Sequence, residues 1–150
     1  MAELPWSLQR TPSLDAWLRF TGDGRVVVRT SKVELGQGIS TAVASIAAFE
    51  LDIPIERVDV ETGSTEGVPN EGITAGSMSI QMTGATMRQA CAEVRQLALN
   101  RAALRLGVDV ADLTIGNGQV LPRDGTNEPV SYADLFSDGI GAEAGGNAAP

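Results

Sequence analysis

Histidine is absent from this sequence of 150 residues, and cysteine and lysine each occur once, as Cys91 and Lys32. The lack of histidine excludes Ser-His-Asp and Cys-His catalysis, histidine metal sites and histidine proton shuttles within the chain. A single cysteine excludes an intrachain disulfide, a zinc knuckle and an iron–sulfur cluster. The GxxxxGK[ST] phosphate loop is missing as well. We therefore predict no catalytic residue and no metal ligand in this chain.

Positive charge and long apolar runs are also scarce. The net charge is −8, and the arginines are scattered, which argues against nucleic acids and anionic membranes as partners. No apolar run approaches the roughly 20 residues of a membrane span. The first residues lack the apolar core of an export signal, so we expect a cytoplasmic protein. An exported partner would instead take it to the periplasm.

Aromatic residues make up only 4% of the chain, whereas hydrophobic residues make up 43%, so a core would consist mainly of aliphatic side chains. The length fits one domain or part of a larger one. We expect an irregular arm over residues 1–16, which Pro5 and Pro12 interrupt. A domain over residues 17–137 follows, and then a Gly/Ala-rich, disordered tail over residues 138–150.

The hydrophobic periodicity predicts an α+β fold, in which two main helices pack on one face of a small mixed or antiparallel sheet. One hairpin is indicated by the TGDG turn at residues 21–24, and a second by the Asn117-Gly118 turn. Cys91, between alanines in a helix, is expected to be a core residue. The predicted strands are Trp17–Phe20, Arg25–Ser31, Val58–Thr62, Leu113–Ile115 and Gln119–Leu121, and the predicted helices are Ile39–Leu51, Ser77–Leu106 and a single turn within Ser131–Phe136.

The segment ELGQGISTA, residues 34–42, follows a strand-like run and opens directly into a helix. Backbone N–H groups, the Gln37 amide and the positive end of a helix together suit a polar, anionic ligand. The alternative is a tight strand-to-helix turn that leaves Gln37 in solvent. Glu34 is a catalytic carboxylate, a group that orients a neighbouring amide, or a partner in an outward-facing salt bridge.

A second Gly/Ser-rich helix start, TAGSMS, spans residues 74–79 and follows a long polar loop. Thr74 or Ser77 suits an N-cap, and Gly76 exposes the backbone, so successive N–H groups there suit an anion. An ordinary capped helix is the alternative. The acidic residues from Glu50 to Glu71 are expected to form a solvated surface.

The motifs ELGQG, VPN and TAGSMS occur in this order within residues 32–90. In this combination the sequence resembles the molybdenum-cofactor-binding large subunit of the xanthine dehydrogenase/aldehyde oxidase family. It is most similar to the isoquinoline 1-oxidoreductase type, and it resembles only an N-terminal segment of such a subunit. The likeness runs over residues 8–136.

The resemblance implies a molybdopterin cofactor with molybdenum, often in its cytosine dinucleotide form. It implies that Gln37 donates or accepts a hydrogen bond near the metal, beside backbone contacts from its neighbours. It also implies that the second helix start holds the pterin through N–H groups and hydroxyls. The residues so assigned are Leu35, Gly36, Gln37, Gly76, Ser77 and Ser79.

The family resemblance further implies hydroxylation of an N-heteroaromatic ring or an aldehyde, with oxygen from water. The family's general-base glutamate and its GGGFGG-type loop have no counterpart here, so the chain would be a partial subunit without activity of its own. Its expected partners are the rest of the molybdenum subunit and a small subunit with [2Fe–2S] clusters. The isolated chain would then expose apolar surface at Trp6, Trp17 and one helix face. A stand-alone anion- or nucleotide-binding module and an inert truncated fragment are the alternatives.

Overall fold

The computed structural model describes residues 3–34, 36, 38–63, 69, 71 and 78–145, with the backbone alone at positions 78 and 79. Within these residues the chain forms four α-helices and six strands, which confirms the predicted α+β class with two main helices. The elements are α1 (Trp6–Arg10), β1 (Leu18–Phe20), β2 (Val26–Thr30), α2 (Ile39–Leu51), β3 (Val58–Thr62), α3 (Met78–Leu106), β4 (Leu113–Gly116), β5 (Gln119–Pro122), β6 (Val130–Ser131) and α4 (Tyr132–Leu135).

The first sheet has the strand order β1-β2-β3. β1 and β2 form the predicted hairpin, whereas β2 and β3 run parallel and are connected through α2. The parallel register pairs Val26 with Val58 and ends with Thr30 opposite Thr62. The segments that follow β2 and β3 therefore leave the sheet side by side, at its carboxyl edge.

The two main helices pack against each other along their length. A Cβ atom on Gly84 of α3 would lie 3.3 Å from the Ile46 Cδ1 atom of α2. One turn further on, the Arg88 Nε atom lies 3.5 Å from a carboxylate oxygen of Glu50. Both contacts join residues that are 38 positions apart in sequence. The helices therefore run in the same direction, and their N-terminal ends lie at the same end of the molecule.

The second sheet is antiparallel, with the order β4-β5-β6. Asn117 and Gly118 both have positive φ, at 53° and 75°, as a two-residue type I′ turn requires. The predicted strands thus divide between two small sheets. The hairpin of the second sheet is attached to the end of α2, since the Gly118 N–H group donates to the Asp52 carbonyl oxygen at 2.7 Å.

Residues 1–16 were predicted to be an irregular arm, but residues 6–10 form α1. Leu8 and Leu14 are fully buried, and so is Trp17, whose indole Nε1–H donates to the Thr11 carbonyl oxygen at 2.8 Å. These apolar side chains belong to the main core cluster of the domain, and α1 packs against α3.

The predicted disordered tail, residues 138–150, is wrong for its described part, residues 138–145. Ile140 is buried, and the Asp15 carboxylate accepts hydrogen bonds from the backbone N–H groups of Ile140 and Gly141, each at 2.7 Å. These bonds need no particular side chain in the tail, so a Gly/Ala-rich composition did not reveal them. The domain limits of 17–137 stay a prediction.

Apolar exposure also differs from the expectation. Trp17 does not contribute to an exposed surface, because it is buried, whereas Trp6 is 46% exposed. Among the described residues, Phe49 on α2 and Leu104 on α3 are the most exposed large apolar side chains, at 81% and 86%. Cys91 is fully buried, as predicted. In the part of the chain that the structure describes, no helix is long and apolar enough to cross a membrane.

Candidate functional site

The candidate site lies at the carboxyl edge of the parallel strands β2 and β3. Ligands of open α/β sheets bind in the crevice beyond the carboxyl ends of parallel strands. Thr30 and Thr62 are paired at this edge, and the segments that follow them lead to the N-terminal ends of α2 and α3. The chain thus leaves this edge twice, once toward each of the glycine-rich segments singled out in the sequence, and residues 64–68, 70 and 72–77 lie outside the described part.

The turn before α2 is organised by Glu34. Its Oε1 atom accepts the N–H groups of Gly36 and Gly38, each at 3.0 Å, and its Oε2 atom accepts the N–H group of Ser40 at 3.1 Å. These bonds, first the one from Ser40 and then the one from Gly38, lower the pKa of the Glu34 carboxyl. Glu34 therefore orients backbone amides, which is one of the roles the sequence left open.

This arrangement corrects the expectation that these N–H groups are free for an anionic ligand. Three N–H donors of this turn and of the start of α2, those of Gly36, Gly38 and Ser40, are already satisfied by a carboxylate of the chain itself. A ligand at this corner would therefore be bound by the other groups of the turn.

Two glycines leave room beside this turn. Gly36 and Gly38 have φ values of 90° and 77°, a backbone conformation that residues with a Cβ atom rarely adopt. Gly38 is the N-cap residue of α2. A Cβ atom on either glycine would meet no heavy atom of the described residues within 4 Å. The backbone is thus open to close approach, as a cofactor cradle requires.

A buried cluster joins Glu71 to residues 30–32, which precede the Glu34 turn. The Glu71 side chain is 2% exposed, and its Oε2 atom accepts hydrogen bonds from the Thr30 hydroxyl and, at 2.7 Å, from the Ser31 N–H group. In return the Glu71 N–H group donates to the Ser31 Oγ atom at 3.1 Å. The Lys32 Nζ atom, also buried, donates to the Glu71 carbonyl oxygen at 3.1 Å. We call these four residues the Glu71 clasp.

Sequence reasoning missed the clasp. Glu71 was assigned to a solvated acidic surface, and this is wrong, because the side chain is buried against residues about 40 positions earlier. No local pattern reports a contact at that separation. The one available signal was that Lys32 is the single lysine and stands two residues before the Glu34 turn.

Of the predicted cofactor residues, the structure describes Gly36 completely, in the open turn beside Glu34. Ser79 lies in the first turn of α3, and its side chain is outside the described part. The remaining four, Leu35, Gln37, Gly76 and Ser77, lie outside the described residues. Their roles stay predictions.

Comparison with known proteins confirms the resemblance found in the sequence. The chain is 37% identical to a nicotinate dehydrogenase subunit of Pseudomonas putida over 122 residues, which are 81% of this chain and 10% of that protein. It is 44% identical to xanthine dehydrogenase 1 of Arabidopsis thaliana over 72 residues, which are 48% of this chain and 5% of that protein. It thus spans about a tenth or less of the length of these two relatives.

The fold agrees with that of a solved relative. The reconstituted CO dehydrogenase from Oligotropha carboxidovorans superposes with a TM-score of 0.70 at 27% identity, over 85% of this chain and 17% of that one. The molybdopterin cofactor-binding domain family matches residues 4–149, nearly the whole sequence, and the chain therefore belongs to this family.

Proposed function

We propose that the chain forms one wall of the cofactor site of a molybdenum hydroxylase and is active only with partner chains. The observation that carries the proposal is that the turn before α2 follows the carboxyl edge of β2, has open backbone at Gly36 and Gly38, and is preceded by residues that the clasp joins to Glu71. Family membership supports molybdopterin and molybdenum as the cofactor. The residues proposed to contact it are Leu35, Gly36, Gln37, Gly76, Ser77 and Ser79.

The described residues fit such a group. Molybdopterin is a flat, polar ligand that carries phosphate, and the open backbone at Gly36 and Gly38 permits its close approach. The Glu34 carboxylate fixes the turn that carries Gln37, through bonds to residues on both sides of it. Gln37 would then offer one donor and one acceptor from a preorganised backbone. When bound, the molybdenum centre would supply the oxygen-transfer and electron-accepting chemistry.

For the finer properties we propose the cytosine dinucleotide form of the cofactor and an N-heteroaromatic or aldehyde substrate. The proposed partners are the remaining part of the molybdenum subunit and a small subunit with [2Fe–2S] clusters. The short span relative to known relatives supports the need for further protein. We also propose a cytoplasmic location, or a periplasmic one with an exported partner, and no nucleic-acid or membrane partner, since the net charge is −8.

The test is purification of the chain with its bound partners, followed by metal analysis and mild acid hydrolysis of the cofactor. We expect molybdenum in the complex and release of cytidine monophosphate. A complex that folds and assembles but contains no molybdenum would refute the proposal. Release of a different nucleotide, or of none, would refute the dinucleotide form alone.

A matched pair of variants tests the role of Gln37. Gln37→Ala should lower turnover of the assembled enzyme about 10- to 100-fold with little loss of stability, as expected when one positioned hydrogen bond is lost. Gln119→Ala, at an exposed position on β5, is the control and should leave turnover unchanged. Equal turnover in both variants would remove Gln37 from the site.

The stand-alone anion-binding alternative is less favoured by the geometry, because Glu34 already takes three N–H donors of the turn before α2 and of the start of that helix. Titration calorimetry of the chain alone with cytidine diphosphate or inorganic phosphate separates the two functions. Tight binding without any partner would favour the stand-alone module.

A further inference from the structure

We propose that Glu71 is a positioning residue, whose buried side chain holds residues 30–32 and thereby the Glu34 turn that follows them before α2. The inference rests on the proposed function for its biological meaning, but its structural claim is independent of it. Glu71 stands five residues before Gly76 on one segment, and its partners Ser31 and Lys32 stand just before Glu34 on the other.

The clasp fixes a register between the two segments. Glu71 accepts from the Ser31 N–H group through its side chain and donates to the Ser31 hydroxyl through its backbone, so the two residues are joined in both directions. The Lys32 ammonium group adds a charge-assisted bond to the Glu71 carbonyl oxygen. A slip by one residue would break all three bonds, which makes the placement specific.

The choice of a carboxylate here is not explained by stability. The Oε1 atom of Glu71 is buried and has no hydrogen-bond partner among the described residues, while the Oε2 atom accepts the bonds from Thr30 and Ser31. A buried carboxylate with an unused oxygen lowers stability compared with a fully paired or apolar group. Directional bonding at one place, which an apolar side chain lacks, is the property that Glu71 contributes.

A short covalent connection leads from the clasp to the hydrogen-bonded turn at the start of α2. The backbone N–H group of Lys32 donates to the Thr30 hydroxyl oxygen, and Glu34 follows two residues later in the sequence. Glu34 in turn holds the backbone of Gly36, Gly38 and Ser40. Movement of Glu71 would therefore be felt by the turn that carries Gln37.

The experiment is amide hydrogen exchange on the full chain, with any partner subunits that co-purify, for wild type, Glu71→Ala, Glu71→Gln and the exposed control Glu56→Ala. In Glu71→Ala, we expect exchange at Gly36, Gly38 and Ser40 to rise about tenfold. The amide of Val28, in the central strand β2, should be unchanged. Glu71→Gln should rescue most of the protection, because the amide oxygen still accepts from Thr30 and Ser31.

A uniform rise that includes Val28 would overturn the proposal, because it would mark a general loss of stability. No rise at Gly36, Gly38 and Ser40 would overturn it as well. If Glu71→Ala does not fold, Glu71→Asp decides, since its shorter carboxylate keeps the charge but cannot keep the register. Protection equal to wild type in Glu71→Asp would then contradict the inference.

Retention of the cofactor gives a second readout. Molybdenum content after gel filtration should fall at least about threefold in Glu71→Ala and stay at the wild-type level in Glu56→Ala. A wild-type complex without molybdenum would refute the proposed function and leave the exchange result to decide on Glu71. Full molybdenum retention in Glu71→Ala would refute the positioning role alone.

Discussion

Gly84 of α3 faces Ile46 of α2 at a distance that leaves no room for a large side chain: a Cβ atom on Gly84 would come within 3.3 Å of the Ile46 Cδ1 atom. This contact fixes how closely the two main helices approach. Since both helices run in the same direction, the same contact governs the spacing of the first turns of α2 and α3.

Enlarging Gly84 in two steps should therefore separate helix propensity from packing. Gly84→Ala is expected to be neutral or to stabilise the protein by up to about 1 kcal/mol, because alanine favours a helix interior and the flexible end of Ile46 can shift slightly. Gly84→Leu should destabilise by about 1–3 kcal/mol through overpacking. Urea unfolding measures both changes.

The control for this series is Ala85→Leu, at the neighbouring, exposed position. It should change the free energy of unfolding by less than about 0.5 kcal/mol. If Gly84→Leu were as stable as this control, the helices would not be in the contact described.

Replacing Gly38 tests the backbone of the turn. Its φ of 77° is unfavourable for any residue with a Cβ atom, although the space beside it is open. Gly38→Ala should therefore destabilise by about 1–2 kcal/mol through backbone strain alone. Gly22→Ala is the matched control, because Gly22 has equally open space but no positive φ, and it should be close to neutral.

The Glu34 carboxyl should confer a pH dependence on the turn. Its pKa is lowered in the folded state by the N–H groups of Ser40, Gly38 and Gly36, so its stabilising effect is present above the ordinary pKa of 4.5 and is lost as pH falls through the folded-state value. NMR titration of the Gly36 and Gly38 amide shifts should show a midpoint below 4.5.

Glu34→Gln should abolish this titration. It should also reduce the loss of unfolding free energy that occurs as the pH is lowered, because residue 34 no longer takes up a proton. Glu56→Gln, at an exposed position in a short 3₁₀ turn, should leave both unchanged. An amide midpoint at or above 4.5 would contradict the assigned hydrogen bonds.

Tyr132, which directly follows the second sheet, contacts α2, and removal of its hydroxyl group should lower the stability of the protein. Its hydroxyl donates to the Leu51 carbonyl oxygen at 2.9 Å, and its ring stacks on Phe20 with centroids 5.0 Å apart. Tyr132→Phe keeps the stacking and leaves a buried carbonyl unpaired, so we expect a loss of about 1–3 kcal/mol. Thermal unfolding with and without the hydroxyl provides the measurement.

The same residue offers an optical check, because it is the single tyrosine of the chain. Burial is the main cause that raises its pKa above the ordinary value of 10.0. Its stabilising effect is thus complete below that value and is lost as pH rises through the folded-state pKa. Phenolate absorbance should therefore appear at alkaline pH together with unfolding; phenolate formation in the folded protein near pH 10 would contradict the burial.

Local signals predicted most of the secondary structure. α2 begins and ends where the periodicity placed it, since apolar residues recur at helical spacing from Ile39 to Leu51 and Pro54 blocks continuation. The Asn117-Gly118 turn was equally clear, because few residue pairs adopt two consecutive positive φ values, and Asn-Gly is one of them. Each of these features depends on neighbours in the chain.

Features that depend on distant residues were missed. Trp17 is buried by packing against other elements, and Glu71 by partners about 40 positions away. Asp15 holds backbone N–H groups of the C-terminal segment across a separation of 125 positions. Backbone atoms leave no trace in a hydrophobic pattern, so neither the order of that segment nor the clasp was visible in the sequence.

The first and last residues that the structure describes lie close together. A Cβ atom on Gly145 would lie 3.0 Å from the Leu4 Cδ1 atom, and Ser13 pairs with Glu143. A short peptide could therefore join the ends, and new ones could be opened at the exposed Asp124-Gly125 turn between β5 and β6. Such a circular permutant should keep the fold, and the domain would behave as a cassette that can be moved as a unit between host proteins.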